Sequence, residues 1–335
     1  MQNKDKINYN SLASIFRELL NKHKRVTIIS HIRPDGDTIS SALALYNTLK
    51  EEGITSELIC KDSYLPIKYN FLSGFNRFKQ EINYKDSLIV TLDCADLSRT
   101  GFDLSNKEIV NIDHHKSNTY FGTLNIVEIE VSTTVVLYKL LKDKFKITKE
   151  FAEAIYTGLL SDSQNFTTSL TTKDTLKIAS ELLDLGVDLQ KVANRVNRYN
   201  SLSHTRALAR AIDNMQLYFD GKVAIMSLSQ DDIKATGAKY SDIDAIIDSA
   251  IALATVDIAI LISKLEKNIK VSLRSKNADV SQIATTFGGG GHKNAAGFEV
   301  KEGKISDIKN KLLKEIKDYI WEEIEETEVV DLLNL

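Results

Sequence analysis

A chain of 335 residues with 43% hydrophobic and 27% charged side chains is long enough for two folded domains, and its balance excludes a disordered chain. A net charge of -3 excludes a uniformly basic surface, so a short or small substrate fits better than a long polyanion. No apolar run could span a bilayer, the first residues lack the core of a signal peptide, and Cys60 and Cys94 imply no disulfide framework. No membrane partner is expected, and the expected setting is a reducing cytoplasm.

Taken in order, residues 11–23 carry Leu12, Ile15, Phe16, Leu19 and Leu20 at helical spacing. Residues 25–30 have the β-branched content of a central strand and run into His31-Ile32-Arg33-Pro34-Asp35-Gly36-Asp37. A helix is predicted over 40–52 with Gly53 as its stop, then a strand over 54–59. The strand predicted over 87–92 ends in Asp93-Cys94-Ala95-Asp96, and the run 109–112 leads into Asp113-His114-His115. Strand, turn and helix in alternation predict an α/β fold, with a mostly parallel sheet and helices on both faces. Ligands of such sheets bind beyond the carboxyl ends of the strands, where all of these acids and imidazoles fall.

Helices are expected over 133–146 and 150–160, the second running into Thr157-Gly158-Leu159-Leu160-Ser161-Asp162. A helical pattern follows over 173–215 with a break at Gly186. The expected division is a first domain over 1–190, a helical linker over 191–218, and a smaller α/β domain over 219–335. Its strands are predicted at 223–226, 256–262, 269–273 and 296–300, with a charged helix over 305–325. The tail 325–335 reads as a frayed end, although Val329, Val330, Leu332 and Leu333 are suited to docking on a partner.

His31, Asp35 and Asp37 have the spacing to turn three ligands inward, and carboxylate with imidazole suits Mn²⁺ or a similar cation. The same Pro-Asp-Gly-Asp sequence also makes an ordinary surface turn, with Gly36 allowing a sharp bend. Asp93 past a buried strand suits either a bridging ligand or a helix cap. Adjacent His114 and His115 point different ways on an extended chain, so one would ligate while the other reaches substrate, with Asp113 orienting an imidazole. Arg99 is a candidate phosphate contact or a solvated side chain. Asp162 by itself is uninformative. The run Phe287-Gly288-Gly289-Gly290-Gly291-His292-Lys293 offers backbone N–H groups to an anion, and Arg274 at a strand end offers a fork to a terminal phosphate.

These pieces in this order resemble the DHH phosphoesterase family, in the branch whose DHH-associated C-terminal domain ends in a GGGH motif. The matching segments are 31–37, 92–96, 113–115, 158–162, 271–275 and 288–292, and the likeness covers roughly residues 10–320. It extends to the bacterial nanoRNase/pAp phosphatases and to linear or cyclic dinucleotide phosphodiesterases. The resemblance implies two Mn²⁺ ions, with Mg²⁺ or another divalent metal as substitutes. It gives His31, Asp35 and Asp93 to one ion, and Asp37, Asp93, His114 and Asp162 to the other. His115 and Asp93 would be catalytic, while Arg99, Arg274, Gly289, Gly290, Gly291 and His292 would bind substrate, in a cleft between the domains. The implied reaction is in-line hydroxide attack on a phosphoester in short RNA or DNA, or in pAp. A cyclic di-AMP or pApA phosphodiesterase and a non-catalytic nucleotide or RNA binder are the alternatives; a homodimer is a further expectation. Ser40 and Gln164 depart from positions where relatives commonly carry glycine, and the acidic stretch Glu128-Ile129-Glu130 is unfamiliar in the family.

Overall fold

This computed structural model describes residues 7–266 and 268–317. The chain divides into two compact units, Met1–Tyr199 and Asn200–Leu335. The division falls within the stretch expected to connect domains.

The first unit begins with α1 (Tyr9–Lys22), β1 (Arg25–Ser30), α2 (Gly36–Glu51) and β2 (Thr55–Cys60). The short β3 (Phe78–Lys79) precedes β4 (Leu88–Leu92), β5 (Ile109–Asp113) and β6 (Leu124–Val127). Four helices close the unit: α3 (Thr133–Leu141), α4 (Lys149–Asp162), α5 (Lys173–Asp184) and α6 (Leu189–Arg198). The strands form one six-stranded sheet in the order β3-β2-β1-β4-β5-β6. Every pairing in it is parallel. From β1 the chain moves outward to β2 and β3, then returns to β4 on the other side. The order therefore reverses between β1 and β4, the place where open α/β sheets bind ligands.

Burial follows from sequence. Val26, Ile28, Val90, Val110 and Ile112 project from one sheet face into a large core shared with Leu43, Leu45, Ile155 and Leu159 of α2 and α4. These two helices are buried nearly all round, small polar side chains included, so both are enclosed on most sides. The opposite sheet face carries Ile29, Ile59, Ile89 and Ile109 under Leu97, Phe102 and Phe121, a covering of loops and the 3-10 turn Leu97–Thr100.

The second unit contains α7 (Leu202–Asp213), β7 (Gln216–Tyr218), β8 (Val223–Leu228), α8 (Gln230–Thr236), α9 (Tyr240–Ile243) and α10 (Asp248–Ile251). It continues with β9 (Ile258–Lys264), β10 (Ile269–Ser275), α11 (Val280–Thr286), β11 (Gly290–His292) and β12 (Ala295–Val300). Residues 305–317 are helical; the rest of the charged helix expected to 325, and the tail to 335, lie outside the described residues. Its sheet runs β11-β12-β10-β9-β8-β7 and is antiparallel except for β8 with β9. Alternation along β8 sends Val223 and Ile225 to one core and Ala224 and Met226 to another.

Candidate metal centre

The acids and imidazoles of the first unit meet at the reversal of sheet order. His31 follows β1 directly, and its Nδ1 donates to Ile32 O at 2.8 Å. That bond turns Nε2 toward Asp93 Oδ2 at 3.3 Å and Asp35 Oδ1 at 3.7 Å. Asp35 is the N-cap of α2 and accepts from the N–H groups of Asp37 and Thr38. Gly36 is the first residue of that helix, so its role is not the sharp turn expected from sequence. A Cβ there would overlap Ser161 Oγ and the Tyr69 hydroxyl, so glycine lets α2 approach the end of α4. Gly158, one turn earlier in α4, does this for the start of α3, where a Cβ would overlap Thr134.

Asp93 follows β4 in the left-handed region at φ 61, a conformation that strains most residues and is tolerated by aspartate. This brings its two oxygens to different neighbours. Oδ2 faces His31, while Oδ1 lies 3.5 Å from His114 Nε2 and accepts from Thr133 Oγ1 at 2.9 Å. His114 Nε2 is also 3.6 Å from Asp162 Oδ2 at the end of α4, and its Nδ1 donates to Glu130 O at 3.0 Å. Asp37 is buried and accepts from the Thr133 and Thr134 N–H groups and from Thr134 Oγ1. His115 Nδ1 donates to Asp113 Oδ1 at 2.8 Å, and Asn118 Nδ2 fixes the other Asp113 oxygen at 2.6 Å.

One donor atom each from His31, Asp35 and Asp93 lies within 4.8 Å of the others. Asp37, His114 and Asp162 form a second such group, and Asp93, His114 and His115 a third. All six residues assigned to the two ions from sequence are therefore brought together, with Asp93 between the sets.

The electrostatics show what the cluster lacks. Burial pushes Asp37 up to about 7, helped by the Asp93 charge. Burial and then Asp37 raise Asp162 well above the usual carboxylate range. Asp93 is held below that range because its histidine contacts outweigh burial. Burial opposes charge on His31, but Asp35 and Asp93 raise it to about 10; His114 likewise reaches about 9 against burial, through Asp93, Asp37 and Asp162. Four crowded carboxylates thus favour positive charge at this place in the fold. Oxygen and imidazole donors in this number fit divalent cations of the Mn²⁺ or Mg²⁺ kind.

The remaining sequence candidates are placed as follows. Arg99 sits on the 3-10 turn with Nη2 3.2 Å from His31 Nδ1, at the edge of the cluster. Arg274 lies on β10, with Nε 3.8 Å from Asp248 Oδ1. The glycine run is more ordered than the open cradle expected from sequence. Gly288 N and Gly289 N donate to Thr285 O and Ala284 O, closing α11, and Gly290, Gly291 and His292 pair with β12. The Gly288 and Gly289 N–H groups are therefore already used. A Cβ on Gly289 would overlap Gly297 O, so glycine is needed there for close strand approach.

Sequence reasoning missed the first turn of α3 and the residues leading into it. Thr133 and Thr134 hold two of the acids, and the Glu130 carbonyl holds an imidazole, although none is a conventional ligand type. The available signal was Ser132-Thr133-Thr134 before an apolar helix, an N-cap signature that leaves N–H groups for an anion.

Comparison with known proteins agrees with this architecture. The N-terminal domain of the DHH family matches residues 25–159, and the DHHA1 domain matches residues 220–322. The chain is 29% identical over 298 residues to a bifunctional oligoribonuclease and PAP phosphatase, NrnA, of Thermus thermophilus, covering 88% of this chain and 89% of that protein. It is 24% identical to the cyclic-di-AMP phosphodiesterase PdeA of Listeria monocytogenes, over 95% of this chain but 51% of that one. A crystal structure of an exopolyphosphatase-related protein from Bacteroides fragilis superposes with a TM-score of 0.84 at 25% identity, covering 95% of this chain and 99% of the other. The chain belongs to the DHH family of phosphoesterases, in its two-part form with a DHHA1 domain.

Proposed function

We propose that this chain is a Mn²⁺-dependent phosphoesterase that hydrolyses very short oligonucleotides and 3'-phosphoadenosine 5'-phosphate (pAp). The observation that carries the proposal is Asp93, whose two carboxylate oxygens address two separate donor groups. In this proposal His31, Asp35 and Asp93 hold one cation, and Asp37, Asp93, His114 and Asp162 hold the other. When bound, such a pair of cations activates water near neutral pH and neutralises phosphate oxygens.

The chain's own residues then position and protonate. Asp113, fixed by Asn118, keeps His115 in the Nδ1–H form. Burial opposes protonation of His115, but Asp113 and Asp93 hold its pKa above the ordinary imidazole value. A ring that retains its proton can donate to a phosphate oxygen or to the leaving oxygen. Arg99 adds positive charge at the rim. Arg274, Gly289, Gly290, Gly291 and His292 are assigned to the substrate's phosphate or nucleotide, with 1–190 as the catalytic domain, 191–218 as linker and 219–335 as the substrate domain. The proposed setting is the cytoplasm, and pairing of two copies is part of the proposal.

The similarity to PdeA favours a second reading, hydrolysis of cyclic di-AMP or pApA at the same centre. A purely binding role is disfavoured, because mutually repelling buried acids persist at a cost unless something occupies them. The test is turnover of pAp, dinucleotide and pentanucleotide RNA, cyclic di-AMP and pyrophosphate, each with Mn²⁺, Mg²⁺ or EDTA. Mn²⁺-dependent release of mononucleotide from RNA and of phosphate from pAp is expected. Turnover of cyclic di-AMP alone would favour the second reading; tight binding without turnover of any substrate would overturn the enzymatic assignment.

A further inference from the structure

The acidic stretch Glu128-Ile129-Glu130 supplies no ligand, yet it is tied to the centre at several points. Glu128 N donates to Asp113 O at 3.3 Å, which extends the β5–β6 pairing by a residue. Two residues on, Glu130 O accepts from His114 Nδ1. Thr133 and Thr134 then reach Asp93 and Asp37. Residues 128–134 are thus one continuous brace that orients three of the six candidate ligands.

The side chains of this brace point to a single fastening. Lys139 Nζ, in the last turn of α3, bonds both Glu130 Oε1 and Glu128 Oε2, the latter at 2.8 Å. The Tyr9 hydroxyl of α1 donates to the same Glu128 oxygen, and Lys139 lies over the Tyr9 ring. Two carboxylates two residues apart are held side by side by one lysine whose side chain is only 22% exposed. A solitary surface ion pair contributes little to a fold. Removing this ammonium does more, because it leaves two like charges facing each other on the segment after β6 whose carbonyl holds His114.

We propose that Lys139 is a positioning residue for the metal centre, acting through Glu130 and its carbonyl on the His114 ring. Lys139 touches neither substrate nor cation. It keeps His114 Nε2 aimed at Asp93 and Asp162 by holding residues 128–130 against α3. This inference rests on the two-cation reading above, and its test separates the two.

Mn²⁺ affinity is measured by titration calorimetry on the EDTA-stripped full chain, with melting temperature as a check on folding. Parent protein that binds no Mn²⁺ would sink the two-cation reading itself. Given binding, Lys139→Met is expected to weaken it about tenfold, the low end for outer partners of ligating histidines. KM for pAp at saturating Mn²⁺ should stay unchanged. Lys139→Arg should restore affinity, and so should the double variant Lys139→Met with Glu130→Gln, which removes the repulsion. Tyr9→Phe, which deletes only a hydroxyl on Glu128, should weaken Mn²⁺ binding less than Lys139→Met does. Lys146→Met, which breaks the exposed pair with Glu51, should match the parent. Parental Mn²⁺ affinity in Lys139→Met, or a loss in Lys139→Met that Glu130→Gln leaves uncorrected, would overturn the inference.

Discussion

Thr133→Val isolates the contact that steadies the central acid. Valine matches threonine in shape, and its backbone N–H still serves Asp37, so the change removes only the hydroxyl donated to Asp93 Oδ1 at 2.9 Å. A hydrogen bond to a charged acceptor contributes about 1.5–3 kcal/mol. Asp93 keeps His31 at 3.3 Å and its own N–H bonded to Ile112 O, so the low end applies. About 1.5 kcal/mol corresponds to roughly a tenfold change in an equilibrium or rate constant. Mn²⁺ affinity by calorimetry and kcat/KM for pAp should each fall by about that factor, with an unchanged far-ultraviolet circular dichroism spectrum. Thr133→Ser keeps the hydroxyl and should stay near the parent. Parental values for Thr133→Val, or an equal loss in Thr133→Ser, would refute the role assigned to this bond.

Three further outcomes are expected. Asp93→Ala should lower Mn²⁺-dependent turnover by about 10³ or more while the chain stays folded, and full activity would end the two-cation assignment. Mn²⁺ affinity should rise with pH. His31 and His114 have pKa values of about 10 and about 9 without metal, so a bound cation must displace their protons. The sign for the metal-free fold is opposite: these raised values stabilise it fully below the unfolded value of 6.5, and that stability is lost as pH passes about 9 and about 10. Calorimetry at about pH 6.5 and about pH 8.5 should show tighter binding at the higher value, and a flat profile would refute it. Gln164→Gly should stabilise the protein. Gln164, Asn165 and Phe166 all have positive φ, and Gln164 stands at φ 47. Relief of about 1–2 kcal/mol, less the extra freedom glycine gains when unfolded, leaves about 0.5–1 kcal/mol and raises the melting temperature about 2 °C. A lower melting temperature would contradict this.

Much of the centre was legible because its ligands are side chains of distinctive type at strand ends. The limits of β1 agree with the residue range expected from its β-branched run. The start of α2 was placed four residues late, since Gly36 looks like a bend in sequence and becomes a close-packing residue only once Ser161 is beside it. β6 was missed because it is four residues long with one fully buried position, too little for a period to register. Thr133, Thr134 and the Glu130 carbonyl were missed for another reason. Their contribution is made largely through main-chain groups and a hydroxyl, which every sequence has in quantity. The pairing of the glycine run with β12 was not legible either, because nothing in four consecutive glycines tells an open loop from a segment pressed against Gly297.

The sheet borders bear on how copies of this molecule can meet. The first sheet ends in strands of two and four residues, β3 and β6. The second ends in β7 and β11, each of three residues. Such stubs give a foreign strand too few main-chain groups to zip onto, a common safeguard against runaway aggregation. Self-association of this chain would consequently have to rely on side-chain complementarity, and single surface substitutions would be enough to tune or dissolve it.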